Sequence, residues 1–169
     1  MKHVVSIIAA LSILLSAQSW AGGTPDQVKF PTDYVKKFSL YETRNRANGQ
    51  YAEIYANPIA IASAKSGTLA NGSVLVMELY KPKMDAADKP ITGSDGKWVK
   101  DSMIARLVME KNNWGDKVPA TERNENWAYA MYGPDGKAKA NEAPCAGCHI
   151  PLKSTDYLNT LSNLQAVIQ

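Results

Sequence analysis

The chain of 169 residues predicts an α+β fold, mainly antiparallel β-sheet with short flanking helices. Three observations lead there. Ser73 to Tyr80 (SVLVMELY) is an apolar, β-rich run that follows an Asn71-Gly72 turn signal. Tyr51 to Tyr55 and Asn126 to Tyr132 read as further strands, the second closed by Gly133-Pro134-Asp135-Gly136. Helix signals gather towards the two ends, and the Gly/Pro-punctuated middle cannot hold long amphipathic helices.

From the N-terminus, Lys2 and His3 make a short basic start, and Val4 to Leu15 is almost wholly apolar. Ser19-Trp20-Ala21 then ends in the small-residue pattern of a cleavage site. The apolar run is shorter than the ~20 residues that span a bilayer. A secretory signal over 1–21 is therefore expected, with an uncleaved membrane anchor as the alternative. The rest, 22–169, suits one domain, since single domains commonly hold about 100–150 residues.

Gly22 to Lys29 reads as a flexible lead-in. Pro31-Thr32-Asp33 starts a short helix, with Tyr34, Val35 and Phe38 inward and Lys36 and Lys37 outward. Asn57-Pro58 is an N-cap followed by proline at the first helical position, and that helix stops at Gly67. Lys81 to Lys97 is a loop or a long hairpin connection. Ser102 to Met109 is a strand or a helical turn on periodicity alone. Thr155 or Asp156 opens a C-terminal helix with Tyr157, Leu161, Leu164 and Ile168 on one face.

The net charge of +3 is small and mixed along the chain. No basic stripe points to nucleic acid, and no membrane association is expected after signal cleavage. The chemistry gathers instead at Cys145-Ala146-Gly147-Cys148-His149, which contains both cysteines of the chain. C-x-x-C-H is the pattern of c-type haem attachment. Two thiols at this spacing each add to a haem vinyl group, and the adjacent imidazole falls under the iron as proximal ligand. The competing uses are zinc, a redox pair and a disulfide. A structural zinc site takes four ligands, and only three such residues stand here. A thioredoxin-like pair needs a βαβ unit, of which there is no sign. A Cys145–Cys148 disulfide remains conceivable in an exported protein. Haem c is the expectation, one group on Cys145 and Cys148 with His149 on the iron. Haem attachment of this kind takes place outside the bacterial cytoplasm, which points to the periplasm.

A late C-x-x-C-H on a strand-rich domain resembles the cytochrome P-460 and cytochrome c′-β group. The pieces that carry the likeness are Tyr55-Ala56-Asn57-Pro58, Asn71-Gly72-Ser73-Val74, Glu78-Leu79, Asn126-Trp127-Ala128-Tyr129, and Cys145 to His149 followed by Thr155-Asp156. They run from about Tyr51 to Thr160. The resemblance implies an antiparallel sheet domain with one five-coordinate c-type haem, commonly as a homodimer. In the group, cytochromes P-460 oxidise hydroxylamine and crosslink their haem to a lysine. The c′-β branch lacks that crosslink and binds small gases such as nitric oxide on an apolar distal face.

The position matching the crosslinking lysine, just before Glu78-Leu79, holds Met77. Lys81 lies on the same face of an ideal strand but outside that position. The distal carboxylate of the hydroxylamine oxidisers aligns with Leu107, and their distal arginine falls near Ala52. All three polar positions are apolar here. A side-chain base typically contributes about 10²–10⁴-fold to such proton transfers, so the resemblance implies the gas-binding or electron-carrying side of the group. The partners would be a small gaseous ligand or a redox protein.

Met77 has two uses, a sixth iron ligand or packing at the haem edge. Met84 and Met109 read as gap-filling. Trp127, Tyr129 and Tyr132 read as core and haem-packing residues. Glu53 and Glu78 read as solvated or paired, with Glu78 turned away from Met77 by strand alternation. Arg44, Arg46 and the lysines read as surface charges. The rival function is a haem enzyme that acts on hydroxylamine or peroxide.

Overall fold

The computed structural model describes residues 23–139 and 145–168. The expected signal over 1–21 and its cleavage point lie outside them. The chain order is α1 (Tyr34–Lys37), β1 (Ser39–Asn45), β2 (Tyr51–Ala56), α2 (Pro58–Ser63), β3 (Val74–Pro82), β4 (Lys100–Lys111), β5 (Arg123–Asn124), β6 (Trp127–Tyr132), α3 (Cys145–His149) and α4 (Leu161–Ala166). The strands form one antiparallel sheet in the order β1-β2-β3-β4-β6-β5. This is the α+β architecture that the sequence predicts. Among the described residues no helix is long and apolar enough to cross a membrane.

Both faces of the sheet are covered, and this explains β2, where every residue is buried. Strands packed on both sides lose the apolar/polar alternation of a half-exposed sheet. On one face, Ala56, Leu75, Trp127 and Tyr129 pack against α2 and the C-terminal segment, including Leu161 and Leu164. On the other, Tyr55, Val76, Val108 and Ala130 meet Val28, Tyr34, Trp114 and Val118. Met77 and Leu107 pair across β3 and β4, as do Ile54 and Met77 across β2 and β3.

Local signals placed α2 well. The Asn57 side chain accepts the Ala60 N–H at 2.9 Å and the Val74 N–H at 3.1 Å, and it donates to the Gly72 carbonyl at 2.8 Å. One buried side chain thus caps the helix and pins it to β3. Gly67 ends the following 3₁₀ turn at φ 78°, as a C-terminal glycine should.

Three expectations need correction, and one strand is new. The lead-in is packed, not loose: Thr24 N–H bonds the Tyr129 carbonyl at 2.7 Å, and Val28 is fully buried. β5 covers only the start of β6, so the middle of that edge takes its partner from the N-terminal segment at Gly23 and Thr24, and its end from the following turn at Ala138 and Lys139. Val35 points outward at 59% exposure, and α1 buries only Tyr34. Ser39–Asn45, which carries no clear alternation, is an edge strand with a bulge between Leu40 and Glu42. The C-terminal helix begins at Leu161. Ahead of it runs a 3₁₀ segment, Ile150–Thr155, that stops at a left-handed Asp156.

The face without the cysteines carries a buried polar network. Glu53 and Glu78 stand directly opposite each other on β2 and β3, an arrangement that repels unless neutralised. Lys100 Nζ holds Glu53 at 2.8 and 2.9 Å, and Tyr55 donates to it at 3.1 Å. Glu78 accepts from Tyr34 and, at 2.8 Å, from Tyr80, with Arg106 Nε at 3.5 Å. Both carboxylates are therefore paired and buried rather than solvated.

Burial, reinforced by these carboxylates, pushes the Tyr34, Tyr55 and Tyr80 phenols far above their ordinary value. Burial likewise lifts Tyr41 to about 12, against the pull of its bond to Thr160. An unfolded chain loses these protons near pH 10 (about the free tyrosine value) while the fold retains them. Their contribution is thus complete below that pH and declines as pH rises through the folded values. In an alkaline titration, tyrosinate absorbance from this group should rise together with loss of the circular dichroism of the sheet. Full tyrosine ionisation near pH 10 with the fold intact would refute this.

Candidate haem site

Residues three and four positions apart share one face of a helix. In α3 this puts Cys145, Cys148 and His149 on a common side, and all three line one partly open cavity of about 290 Å³. Both thiols are free. Cys145 is half-buried, and burial pushes its thiol up. Cys148 is exposed at the rim.

The His149 ring has a fixed tautomer. Its Nδ1 lies 2.7 Å from the Tyr157 carbonyl oxygen. A carbonyl only accepts, so Nδ1 carries the hydrogen, and in the neutral ring Nε2 keeps its lone pair. Burial lowers the pKa of the ring, outweighing the opposing effect of the bond to Tyr157. The neutral imidazole with a bare Nε2 is the metal-ligating form. The Tyr129 ring lies beside it, with centroids 4.8 Å apart.

The cavity wall formed by the sheet is apolar. Ile54, Leu75, Met77, Leu107 and Met109 line it from β2, β3 and β4. Met77 and Leu107 thus share a cavity with the cysteine motif, as the resemblance implies. Trp127 does not line it. Trp127 is fully buried in the core on the same face, under the Lys111 ammonium, with Nζ 5.5 Å from the ring centre. Ala52 is fully buried and is not part of the lining. Lys81 is exposed and lies past the register shift between Leu79 and Tyr80, within the second shift between Tyr80 and Pro82.

Among the lining residues that carry no site signal in the sequence, Arg46, Tyr41 and Met109 bear most on the chemistry. Arg46 reaches the cavity from the β1–β2 turn, held by a 2.8 Å bond from Nη1 to Gln50 Oε1. Desolvation, with Arg44 nearby, lowers its pKa. An arginine beside a glycine turn reads as solvated, and only the fold of the hairpin brings it inward. Tyr41, joined at 2.8 Å to Thr160, is likewise supplied by the strand that the sequence hid. Met109, read as gap-filling, stands on the wall next to the motif's cavity.

These groups fit a haem. The cavity offers an apolar slot for the macrocycle, two thiols on one helix face and an imidazole nitrogen with a free lone pair. Cys145, Cys148 and His149 would hold the group, and Arg46 supplies a cation within the same cavity. Among the described residues lining the cavity there is no carboxylate.

A search of curated proteins found no match. A comparison with known families matches Cytochrome P460 over residues 31–160, most of the chain, and the protein therefore belongs to that family of haem-binding cytochromes.

Proposed function

We propose that the protein is a periplasmic mono-haem c-type cytochrome that binds nitric oxide or a similar small uncharged ligand. The haem is held covalently by Cys145 and Cys148, with His149 as proximal ligand. The observation that carries this reading is one cavity with two free thiols and an imidazole held at Nδ1 on one side and alkyl side chains on the other. When bound, haem supplies an iron that takes diatomic ligands or passes single electrons, with its behaviour set by axial ligand and pocket polarity.

The chain's own residues define the rest. The Tyr157 carbonyl fixes the imidazole tautomer. Ile54, Met77 and Leu107 favour an uncharged ligand and exclude water. Lacking a carboxylate among its described lining residues, the cavity has no acidic side chain to take protons from hydroxylamine, and this weighs against the enzyme reading.

Met77 on the wall supports a second reading, a six-coordinate electron carrier with a thioether on the iron. Carbon monoxide separates the two. The expected result is a clear shift of the Soret band when the reduced protein is exposed to the gas. A low-spin reduced spectrum that carbon monoxide leaves unchanged would overturn the open-site reading in favour of Met77. Steady turnover of hydroxylamine with an artificial acceptor would replace it with the enzyme reading.

A further inference from the structure

The His149 ring is held by a main-chain carbonyl, so its orientation depends on what holds that carbonyl. Tyr157 follows Asp156, and both have left-handed backbone, with φ of 63° and 52°. Two successive residues with a Cβ seldom adopt this geometry unless their surroundings impose it. Here the Asp156 carboxylate supplies the restraint. Its two oxygens receive Lys111 Nζ at 2.7 and 2.9 Å, and Oδ2 also accepts the Leu69 N–H at 2.8 Å. Lysine and aspartate are both buried. The Tyr157 N–H closes the turn on the Leu152 carbonyl at 2.8 Å.

Lys111 is the last residue of β4, the strand that supplies Leu107 and Met109 to the cavity wall. A continuous set of contacts therefore runs from that strand through Lys111 and Asp156 to the Tyr157 carbonyl and on to His149 Nδ1. Breaking one partner of a buried pair leaves an uncompensated charge, so the pair holds the turn in one geometry.

We propose that Lys111 and Asp156 are positioning residues for the iron ligand. Their ion pair fixes the Tyr157 carbonyl and thereby sets the aim and basicity of the His149 imidazole. The inference rests on the reading of His149 as axial ligand. A well-aimed acceptor at Nδ1–H raises the basicity of the ligating nitrogen. A more basic axial ligand favours the oxidised iron, so loosening the carbonyl raises the reduction potential.

The test uses the full haem-loaded protein and its Asp156→Asn and Lys111→Met variants. The readouts are the iron–histidine stretching band of the reduced protein by resonance Raman and the reduction potential. Asparagine tolerates left-handed backbone and can still accept from Leu69, so Asp156→Asn keeps the turn's backbone preference while removing the charge and one acceptor of Lys111; it carries the test if Lys111→Met does not fold. Both variants should shift the band to lower frequency and raise the potential, and Lys111→Arg should move both back towards the parent values. Lys137→Met, which breaks an exposed 3.4 Å pair with Asp135 away from this turn, should change neither. If the band survives His149→Gly, the ligand assignment itself fails. If His149→Gly abolishes the band while Asp156→Asn and Lys111→Met leave band and potential unmoved, the assignment stands and the positioning role is overturned.

Discussion

Replacing Cys145 and Cys148 together with alanine is expected to abolish covalent haem: the parent protein should stain for haem on a denaturing gel and the double variant should not. The chain has no other cysteine, so no second attachment point can substitute. The loss should be complete for the double variant, whereas each single variant should retain haem through its remaining thiol. The variant should still fold, because Cys148 is exposed and Cys145 only half-buried, and the sheet makes its main-chain bonds without them. Covalent haem in the double variant would sink the attachment assignment and return the thiols to the disulfide or metal readings.

Glu78→Ala should be the most damaging single change on the opposite face, costing about 3 kcal/mol or more. It strips Arg106 of its buried counter-charge and leaves the Tyr34 and Tyr80 hydroxyls without their acceptor. Tyr34→Phe removes two hydrogen bonds, the one it donates to Glu78 and the one it accepts from Arg106, but leaves that ion pair in place, and should cost less, about 2 kcal/mol. Glu53→Ala should also cost less than Glu78→Ala, because its partner Lys100 is 48% exposed and can turn to water. Urea unfolding checks the order, since the midpoint should move with little change in slope. A loss below about 1 kcal/mol for Glu78→Ala would show that the network adds little to the fold.

Much of this protein could be read one segment at a time. Asn57-Pro58 and Gly67 bound the helical turn where they should, because capping satisfies backbone groups within a few residues. Ser73 to Tyr80 gave its strand away through composition, and alternation correctly separated Met77 from Glu78. The strand β1 was not legible: Leu40 is 46% exposed, and a bulge interrupts the period. Asp156 reads as a helix start but ends a 3₁₀ turn, since an N-cap aspartate and a left-handed aspartate look alike in sequence. Trp127, which reads as a core and haem-packing residue, lies in the core and does not line the cavity, although it shares a strand face with Tyr129, which does.

The cysteine motif could be recognised from the chain alone because its geometry is local. Positions three and four apart on any helical turn share a face, whatever surrounds them. Its cofactor class follows from the same spacing. The surroundings of that motif are another matter. Arg46 is brought to the cavity by a hairpin, Met109 by sheet register, and the His149 ring by a carbonyl eight positions along the chain. The Lys111–Asp156 pair joins residues 45 positions apart. Such contacts depend on how distant strands pair and which faces are covered, and those are settled by the packing of the whole domain. Local spacing names the group to be bound; long-range packing sets the environment in which it works.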